Sequence, residues 1–308
     1  MKIHHELAVR DDRHPLVVAI GFFDGMHRGH REIVRTLLRC RRPGYRAAVL
    51  TFSNHPSTYL RPARTPALIT TLGERVNLLA ASGIDELYLV PFDERIAMLE
   101  ARDFLFDVLI TKLDARALVV GETFRFGRAR AGDVALAAAV LQERGALVMA
   151  VPRLTDGGEN ISSTRIRAAL AAGDMASVNR LLGEPYLLRG RVGFGAGRGH
   201  DLGFPTANLD VPAEKALPPD GVYAATARYD GRDYRALLSV GTNPTFAAAK
   251  RTVEAWLLDF RRTIYGEELM LRDLRFIREQ RTFADVDGLL AQMGEDATHV
   301  PFPSFSRT

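Results

Sequence analysis

The 308-residue sequence predicts an α/β protein of two domains, a parallel sheet wrapped by helices followed by a small antiparallel β-barrel. Three observations carry this expectation. Residues 16 to about 183 alternate short apolar runs with helix-period segments, which is the pattern of successive β-α-β units. Gly183-Glu184-Pro185 then interrupts the helical pattern, as a glycine after a helix and a following proline do. Beyond it, strand-like runs follow one another with turn residues and no helices between them.

The first domain's strands are expected at Leu16–Ile20, Ala47–Phe52, Glu86–Val90, Ala117–Val120 and Ala146–Val151. Helical periodicity lies between them, near His30–Cys40, Leu72–Ser82, Ala101–Lys112 and Asp133–Arg144, and again from about Ser163 to Leu182. In open parallel sheets ligands gather at the C-terminal ends of strands. Two polar, Gly- or His-containing segments follow strands directly, at 21–30 and at 51–56. In the second domain, Tyr186–Val192, Gly221–Tyr229, Tyr234–Val240, Thr252–Phe260 and Leu269–Ile277 read as strands, with Asp230-Gly231 as a two-residue hairpin turn. Only the tail, about Asp285 to Met293, reads as helix, and no internal repeat is present.

Composition narrows the function classes. An apolar fraction of 47% supplies material for a sizeable core. Lys and Arg total 41 against 37 Asp and Glu, a net charge of +4, with Lys only at Lys2, Lys112, Lys215 and Lys250. The Arg-dominated excess suits an anionic substrate without demanding nucleic acid, and a coding bias toward Arg and Ala explains it equally well. A single cysteine, Cys40, excludes an internal disulfide framework and reads as a small apolar residue ending the first helix. No apolar run reaches membrane-span length, and Met1 to Pro15 lacks a signal-peptide core, so a soluble cytoplasmic protein is expected. His4, His5 and His14 read as solvated surface.

The most informative segment is Gly21-Phe22-Phe23-Asp24-Gly25-Met26-His27-Arg28-Gly29-His30, between the apolar run Leu16–Ile20 and a helix-like stretch. A strand, a Gly-containing turn and a helix start form a phosphate-binding context. His27 and His30, three apart at a helix start, share one face and can hold a polyphosphate beside unpaired backbone N–H groups. A metal reading lacks a third ligand and the Glu of H-E-x-x-H. About 135 residues later comes Ile161-Ser162-Ser163-Thr164-Arg165-Ile166-Arg167. Its hydroxyls can cap a helix or contact phosphate, and Arg165 or Arg167 can neutralise a triphosphate.

Together these motifs resemble the nucleotidyltransferases that pair H-x-G-H with a downstream Ser/Thr-rich Arg motif. The run G-F-F-D-G-x-H-x-G-H, then T-F-x-x-H-P at 51–56, R-F-G at 125–127 and I-S-S-T-x-I-R at 161–167 is similar to the adenylyltransferase module of bacterial bifunctional riboflavin kinase/FAD synthetases. The resemblance implies that FMN attacks the α-phosphorus of ATP and that pyrophosphate leaves. It places His27 and His30 on the ATP phosphates as catalytic groups. Gly21, Phe22, Phe23, Asp24 and Gly25 form the turn around ATP, and Ser163, Thr164 and Arg167 take the leaving pyrophosphate. Asn54, Thr123, Phe124 and Arg125 fall on the flavin side. Departures are Thr123 where the family usually has Asn or Asp, Asn54 for Pro and Met26 for Val.

The second half carries Gly195-Ala196-Gly197-Arg198-Gly199-His200-Asp201-Leu202-Gly203-Phe204-Pro205-Thr206-Ala207-Asn208, where glycines allow close backbone approach and Thr and Asn offer hard oxygen ligands. Read alone this is a loop followed by a turn. With Pro219–Tyr223, Gly241–Phe246, Val253–Phe260 and Ile264–Glu267 in order, it resembles riboflavin kinases. That resemblance implies phosphoryl transfer from ATP to a primary alcohol of riboflavin. Gly197, Gly199, Thr206 and Asn208 would bind ATP, Thr206 and Asn208 would hold Mg²⁺, and Glu254 would act as general base. His200 stands for a usual Arg, and Trp256 for a usual His.

The resemblance covers roughly residues 16 to 295. It implies a Rossmann-like H-x-G-H nucleotidyltransferase domain over 1–184 and an antiparallel β-barrel riboflavin kinase domain over 185–308. The expected substrates are riboflavin, FMN and ATP, with Mg²⁺ as cofactor and FMN and FAD as products; no membrane partner and no oligomer is specified. Two alternatives stay open. In one, the N-terminal domain acts on another flavin analogue or nucleotide. In the other, the chain is a non-catalytic flavin-binding regulator that contacts RNA, against which the intact His27, His30, Asn208 and Glu254 argue.

Overall fold

A computed structural model describes residues 1–12, 14–193, 206–242, 251–283 and 285–302. Two compact units emerge, Met1–Ser163 and Thr164–Thr308.

The first unit is built on a six-stranded parallel sheet, β1 (Lys2–His4), β2 (Leu16–Ile20), β3 (Arg46–Phe52), β4 (Glu86–Val90), β5 (Ala115–Gly121) and β6 (Leu147–Val151), in the order β1-β4-β3-β2-β5-β6. β2 is buried at every residue because its two faces meet different helices. Leu16, Val18 and Ile20 pack with Leu118, Val120 and the helical segment around Phe104, Leu105 and Leu109. Val17 and Ala19 pack with Val34 and Leu37 of α1 (Arg28–Cys40) and with Leu79 of α3 (Leu72–Ala81). Each such aliphatic side chain stabilises the fold by roughly 1.5–3 kcal/mol. The chain runs outward from β2 to β3 and β4, then returns to β5 on the other side of β2. That reversal opens a crevice at the C-terminal ends of β2 and β5, where Gly21–His30 sits.

The expected helix at 101–112 forms with a wider winding. α5 (Ala101–Asp103) continues into a π-helix, Phe104–Lys112. Leu113 N–H accordingly reaches Val108 O, five residues back, at 3.0 Å. The four-residue recurrence of its buried side chains (Phe104 with Val108, Leu105 with Leu109) suits that wider turn on the sheet. Elsewhere α2 (Pro56–Leu60) and α4 (Glu94–Ala97) are short helices beyond the expected set. α6 (Val134–Gln142) falls inside its expected span. β7 (Thr155–Asp156) and β8 (Glu159–Asn160) form a small hairpin, and Asp156 pairs with Arg28 of α1 at 3.2 Å.

β1 corrects the reading of His4 as solvated surface. β1 adds to β4, His4 stacks on Tyr88 at 4.5 Å, and its Nε2 lies within hydrogen-bond distance of buried Glu86 Oε2, at 2.9 Å. Burial alone would raise the Glu86 pKa, but hydrogen bonds and charge from Arg10, with Arg46 and Tyr88, bring it down to about 2. His5 and His14 are exposed.

α7 (Ser163–Ala171) opens at the unit boundary, and α8 (Met175–Leu182) ends on Gly183, whose φ of 83° gives the left-handed cap that terminates a helix without a Cβ clash. The second unit closes a six-stranded antiparallel barrel from β9 (Leu188–Gly193), β10 (Thr206–Asp210), β11 (Gly221–Tyr229), β12 (Arg232–Thr242), β13 (Arg251–Leu257) and β14 (Glu268–Arg278), ordered β10-β13-β12-β11-β14-β9. Asp230 (φ 50°) and Gly231 (φ 73°) make the expected two-residue turn between paired Tyr229 and Arg232. The expected strand at 252–260 stops at Leu257, because Asp259 takes a left-handed φ of 60°. α9 (Val286–Thr298) runs five residues past its expected end at Met293.

One sequence expectation needs correction here. Thr206–Asp210, read as the end of a loop and turn, is a barrel strand paired on both edges. Its alternation explains why: Ala207 and Leu209 are buried while Thr206 and Asn208 are half-buried on the other face. Gly197, Gly199 and His200 of the Gly-rich segment, and Asn243 to Phe246, lie outside the described residues.

Candidate active sites

The first site is the turn after β2. Phe23 takes a left-handed φ of 58° and Gly25 a φ of 81°, so the chain doubles back before α1. A Cβ on Gly25 would also stand 3.0 Å from Ile69. Asp24 is 1% exposed, and its carboxylate points inward, accepting from Ile69 N–H at 3.2 Å, Thr70 N–H at 3.0 Å and Thr70 Oγ1 at 3.1 Å. Thr70 Oγ1 in turn accepts from Gly25 N–H at 2.9 Å. Asp24 therefore shapes the turn.

His27 caps α1: its Nδ1 accepts from His30 N–H at 3.2 Å, which leaves Nε2 to carry the proton of the neutral ring. The two imidazoles stack with centroids 3.6 Å apart, and Phe23 meets His30 edge-on at 5.3 Å. Burial pushes His27 down to about 4 despite the attraction of Asp24. Burial, then His27 and Arg75, push His30 well below the usual imidazole range. Both rings are thus neutral hydrogen-bond donors at pH 7. His30 Nδ1 is buried with no partner among the described residues.

Ser163, first residue of α7, donates its hydroxyl to Asp24 O at 3.0 Å, so the two distant motifs meet at the turn. Thr164 and Arg167 follow within that helix. Asn54 binds its neighbours with both ends of its amide: Nδ2 donates to Thr58 Oγ1 at 2.9 Å and Phe92 O at 3.1 Å, and Oδ1 accepts from Phe92 N–H at 2.8 Å. Thr123 Oγ1 accepts from Arg153 Nε at 3.3 Å, Phe124 stacks with Phe126 at 5.5 Å, and Arg125 pairs with Asp133 at 3.2 Å.

The second site lies on the barrel's outer face. Asn208 stands opposite Glu254, and Thr206 opposite Trp256, on the neighbouring strands β10 and β13. Residues directly opposite in an antiparallel pair share a face, so all four side chains emerge on one side. Ser239 of β12 stands opposite Glu254 on its other edge. Between this face and α9 lies a cavity of about 390 Å³, lined by Thr206, Glu254, Trp256, Ser239 and Gln280, and by apolar Leu237, Phe283, Leu290 and Met293. A second cavity of about 290 Å³, lined by Arg261, Arg262, Phe260 and Tyr265, also reaches Thr206. α9 is held in place by Arg278, whose Nε donates to Asp296 Oδ1 at 2.9 Å and whose second guanidinium nitrogen contacts Oδ2 at 2.7 Å. Thr, Asn and one carboxylate are hard oxygen donors that fit Mg²⁺, which takes few protein ligands and several phosphate or water oxygens.

Known proteins show the same two-part organisation. Residues 9–165 match the FAD synthetase family, and residues 182–301 match the riboflavin kinase family. A bifunctional riboflavin kinase/FMN adenylyltransferase of Escherichia coli K12 is 36% identical over 283 residues, covering 91% of this chain and 90% of that protein. The chain belongs to the bifunctional riboflavin kinase/FMN adenylyltransferase family.

The Bacillus subtilis member of this riboflavin kinase/FMN adenylyltransferase family is 34% identical over 298 residues, covering 95% of this chain and 93% of its own. A crystal structure described as a macrolide-efflux protein from Streptococcus pneumoniae aligns with a TM-score of 0.87 at 33% identity, covering 99% of this chain and 100% of that one. Among the described residues of this riboflavin kinase/FMN adenylyltransferase, no helix is long and apolar enough to cross a membrane. Several residues of both sites carry no sequence signal. Arg75, beside the helix-capping Glu74, belongs to no motif, and neither do Arg278, Gln280 and Asp296, which the fold brings to the cavity.

Proposed function

We propose that the two activities of this family are carried out at two separate sites of the chain, kinase chemistry on the barrel and adenylyl transfer at the β2–α1 turn. The enzyme phosphorylates riboflavin to FMN and adenylylates FMN to FAD, with ATP as co-substrate in both. The adenylyltransferase domain is taken as residues 1–184 and the kinase domain as 185–308. The single observation that carries the assignment is the pairing of Asn208 with Glu254 beside Thr206, at the edge of a cavity with an apolar far wall.

In the kinase, the flat ring system of riboflavin occupies the 390 Å³ cavity against Trp256, Phe283 and Met293. ATP reaches Thr206 and Asn208, with the Arg261 and Arg262 side taking phosphate charge. Thr206 lines both cavities, so donor and acceptor meet there. Glu254 accepts the proton of the primary alcohol as its oxygen bonds to the γ-phosphorus and the bond to ADP breaks. Thr206 and Asn208 would hold Mg²⁺, which would supply neutralisation of the charge on the transferred group.

In the adenylyltransferase, an FMN phosphate oxygen bonds to the α-phosphorus of ATP while the bond to pyrophosphate breaks, so no protein nucleophile is required. His27 and His30, neutral and stacked, donate hydrogen bonds to phosphate oxygens where charge develops. The Gly21–Gly25 turn encloses the ATP, held in shape by its own N–H groups: Gly21 N–H is committed to Leu50 O and Gly25 N–H to Thr70 Oγ1. Ser163, Thr164 and Arg167 receive the leaving pyrophosphate, and Thr123, Phe124 and Arg125, with Asn54 bracing its loop, border the flavin. We assign the enzyme to the cytoplasm, in keeping with the lack of a membrane-spanning helix among the described residues.

The test is chromatography of riboflavin incubated with the protein, ATP and Mg²⁺, beside a reaction started from FMN. FAD in both, with FMN first in the riboflavin reaction, is the expected result. FMN without FAD would leave a kinase and return the N-terminal domain to other flavin analogues or nucleotides.

A further inference from the structure

We propose that Arg75 is a positioning residue of adenylyl transfer, a single guanidinium that ties the β2–α1 turn to the end of β3 and thereby presents His30 to the phosphates. The proposal rests on the assignment of Gly21–His30 as the adenylyl-transfer site.

β2 and β3 pair in register as far as Ile20 and Leu50, and Gly21 N–H closes the ladder on Leu50 O at 3.2 Å. Beyond that point the strands part, one into the phosphate turn and the other into the Thr51–Pro56 segment. Arg75, on the first turns of α3, fills the gap. It is 1% exposed, and its two terminal nitrogens donate to Phe22 O at 3.0 Å and Phe52 O at 2.6 Å. Thr51 Oγ1 donates to the same Phe22 carbonyl at 3.2 Å. The guanidinium also lies 4.0 Å above the Phe22 ring, whose edge meets His55 at 4.6 Å. One planar fork therefore joins both sequence motifs through backbone and ring, a geometry a lysine ammonium cannot reproduce.

Charge points the same way. Among the described residues no carboxylate lies within salt-bridge distance of Arg75, and Asp24 attracts it from farther off, so its positive charge sits buried behind the proposed polyphosphate site. The charged and titratable groups that act on His30 are its stacked neighbour His27 and Arg75 from α3, while Asp24 of the turn acts on both of these. Burial first, then His27 and Arg75, disfavour the imidazolium, which leaves His30 a neutral donor. Phe23 and Met26 hold left-handed φ values of 58° and 41° one turn away, strain that persists only where the surroundings over-determine it. Arg75 supplies part of that determination.

The experiment measures FAD formation from FMN and ATP, and FMN formation from riboflavin, against pH for the parent chain, R75M, R75K and H30A. Both Arg75 variants are expected to lose about 10²-fold in kcat for FAD formation through misplacement of the turn. Their rates of FMN formation stay within twofold of the parent. In R75M the acid limb of the FAD profile moves to higher pH, because removing the cation raises the His30 pKa; in R75K, which keeps the charge, the limb stays. FAD formation within twofold of the parent in R75K overturns the proposal even if R75M fails to fold, and coincident acid limbs in R75M and R75K overturn the charge argument. H30A separates the two levels. If H30A makes FAD at the parental rate, the site assignment fails and the proposal with it; if H30A is inactive while the Arg75 variants are parental, Arg75 alone is misassigned.

Discussion

The Ser163 hydroxyl donates to the carbonyl of Asp24 at 3.0 Å, across 139 residues of sequence. This one bond seats the start of α7 on the turn that holds His27 and His30. Ser163→Ala removes this part-buried hydrogen bond, a loss of about 1–3 kcal/mol locally. The expected outcome is a fall of about tenfold in FAD formation, with riboflavin phosphorylation unchanged, read by product chromatography. Equal effects on both activities would place the role of Ser163 elsewhere.

Acid should weaken the first domain before its carboxylates protonate. An unfolded His takes a proton near 6.5, whereas His27 in the fold resists protonation until about 4. The unfolded state therefore binds more protons across that window. The stability is fully present above about pH 6.5 and is lost as pH falls toward 4, on the order of 3 kcal/mol for His27. His30 shifts in the same direction. Glu86, held down to about 2, loses its contribution only below its unfolded value of 4.5. Thermal melts between pH 7.5 and 4.5 should show a steeper decline for the parent than for His27→Gln; parallel declines would contradict the burial argument.

Glu254 stands opposite Asn208 on one side and Ser239 on the other. Glu254→Gln keeps the shape and removes the base. FMN formation from riboflavin should fall by about 10²–10⁴-fold, while FAD formation from supplied FMN persists. Retention of kinase activity would leave Glu254 a structural carboxylate.

Arg278 and Asp296 are a buried pair, with side chains 13% and 2% exposed. Asp296→Asn leaves the guanidinium buried without its counter-charge, at a loss of about 3–5 kcal/mol. Because the pair pins α9 over the cavity, KM for riboflavin should rise more than kcat falls. The double variant Arg278→Met/Asp296→Leu should recover most of the stability; if it is no more stable than Asp296→Asn, the pair is not the source of the loss.

The strands and helices were legible because each repeats a period. Leu16–Ile20 is uniformly apolar because both of its faces are covered, and Gly221–Tyr229 to the Asp230-Gly231 turn declares a hairpin within a dozen residues. Chemistry-bearing residues were legible where they cluster locally, as His27 and His30 do one helical turn apart. What local pattern could not carry was partnership. Thr206–Asp210 becomes a strand because β9 and β13 flank it, and half-buried His4 becomes a partner of buried Glu86 because β1 adds to the edge of β4.

By itself the sequence determined two architectures in series, the Gly- and His-containing turn after β2, and the residues proposed to face ATP. Only the tertiary structure decided which of those groups point into the site and which brace it. Asp24 sits in the motif yet turns its carboxylate to Ile69 and Thr70, whereas Arg75, anonymous on α3, is delivered to the carbonyls of Phe22 and Phe52. The reason is physical. Periodicity and capping act over a few residues, but a buried charge or carbonyl takes the nearest polar partner in space, and packing brings that partner from anywhere in the chain.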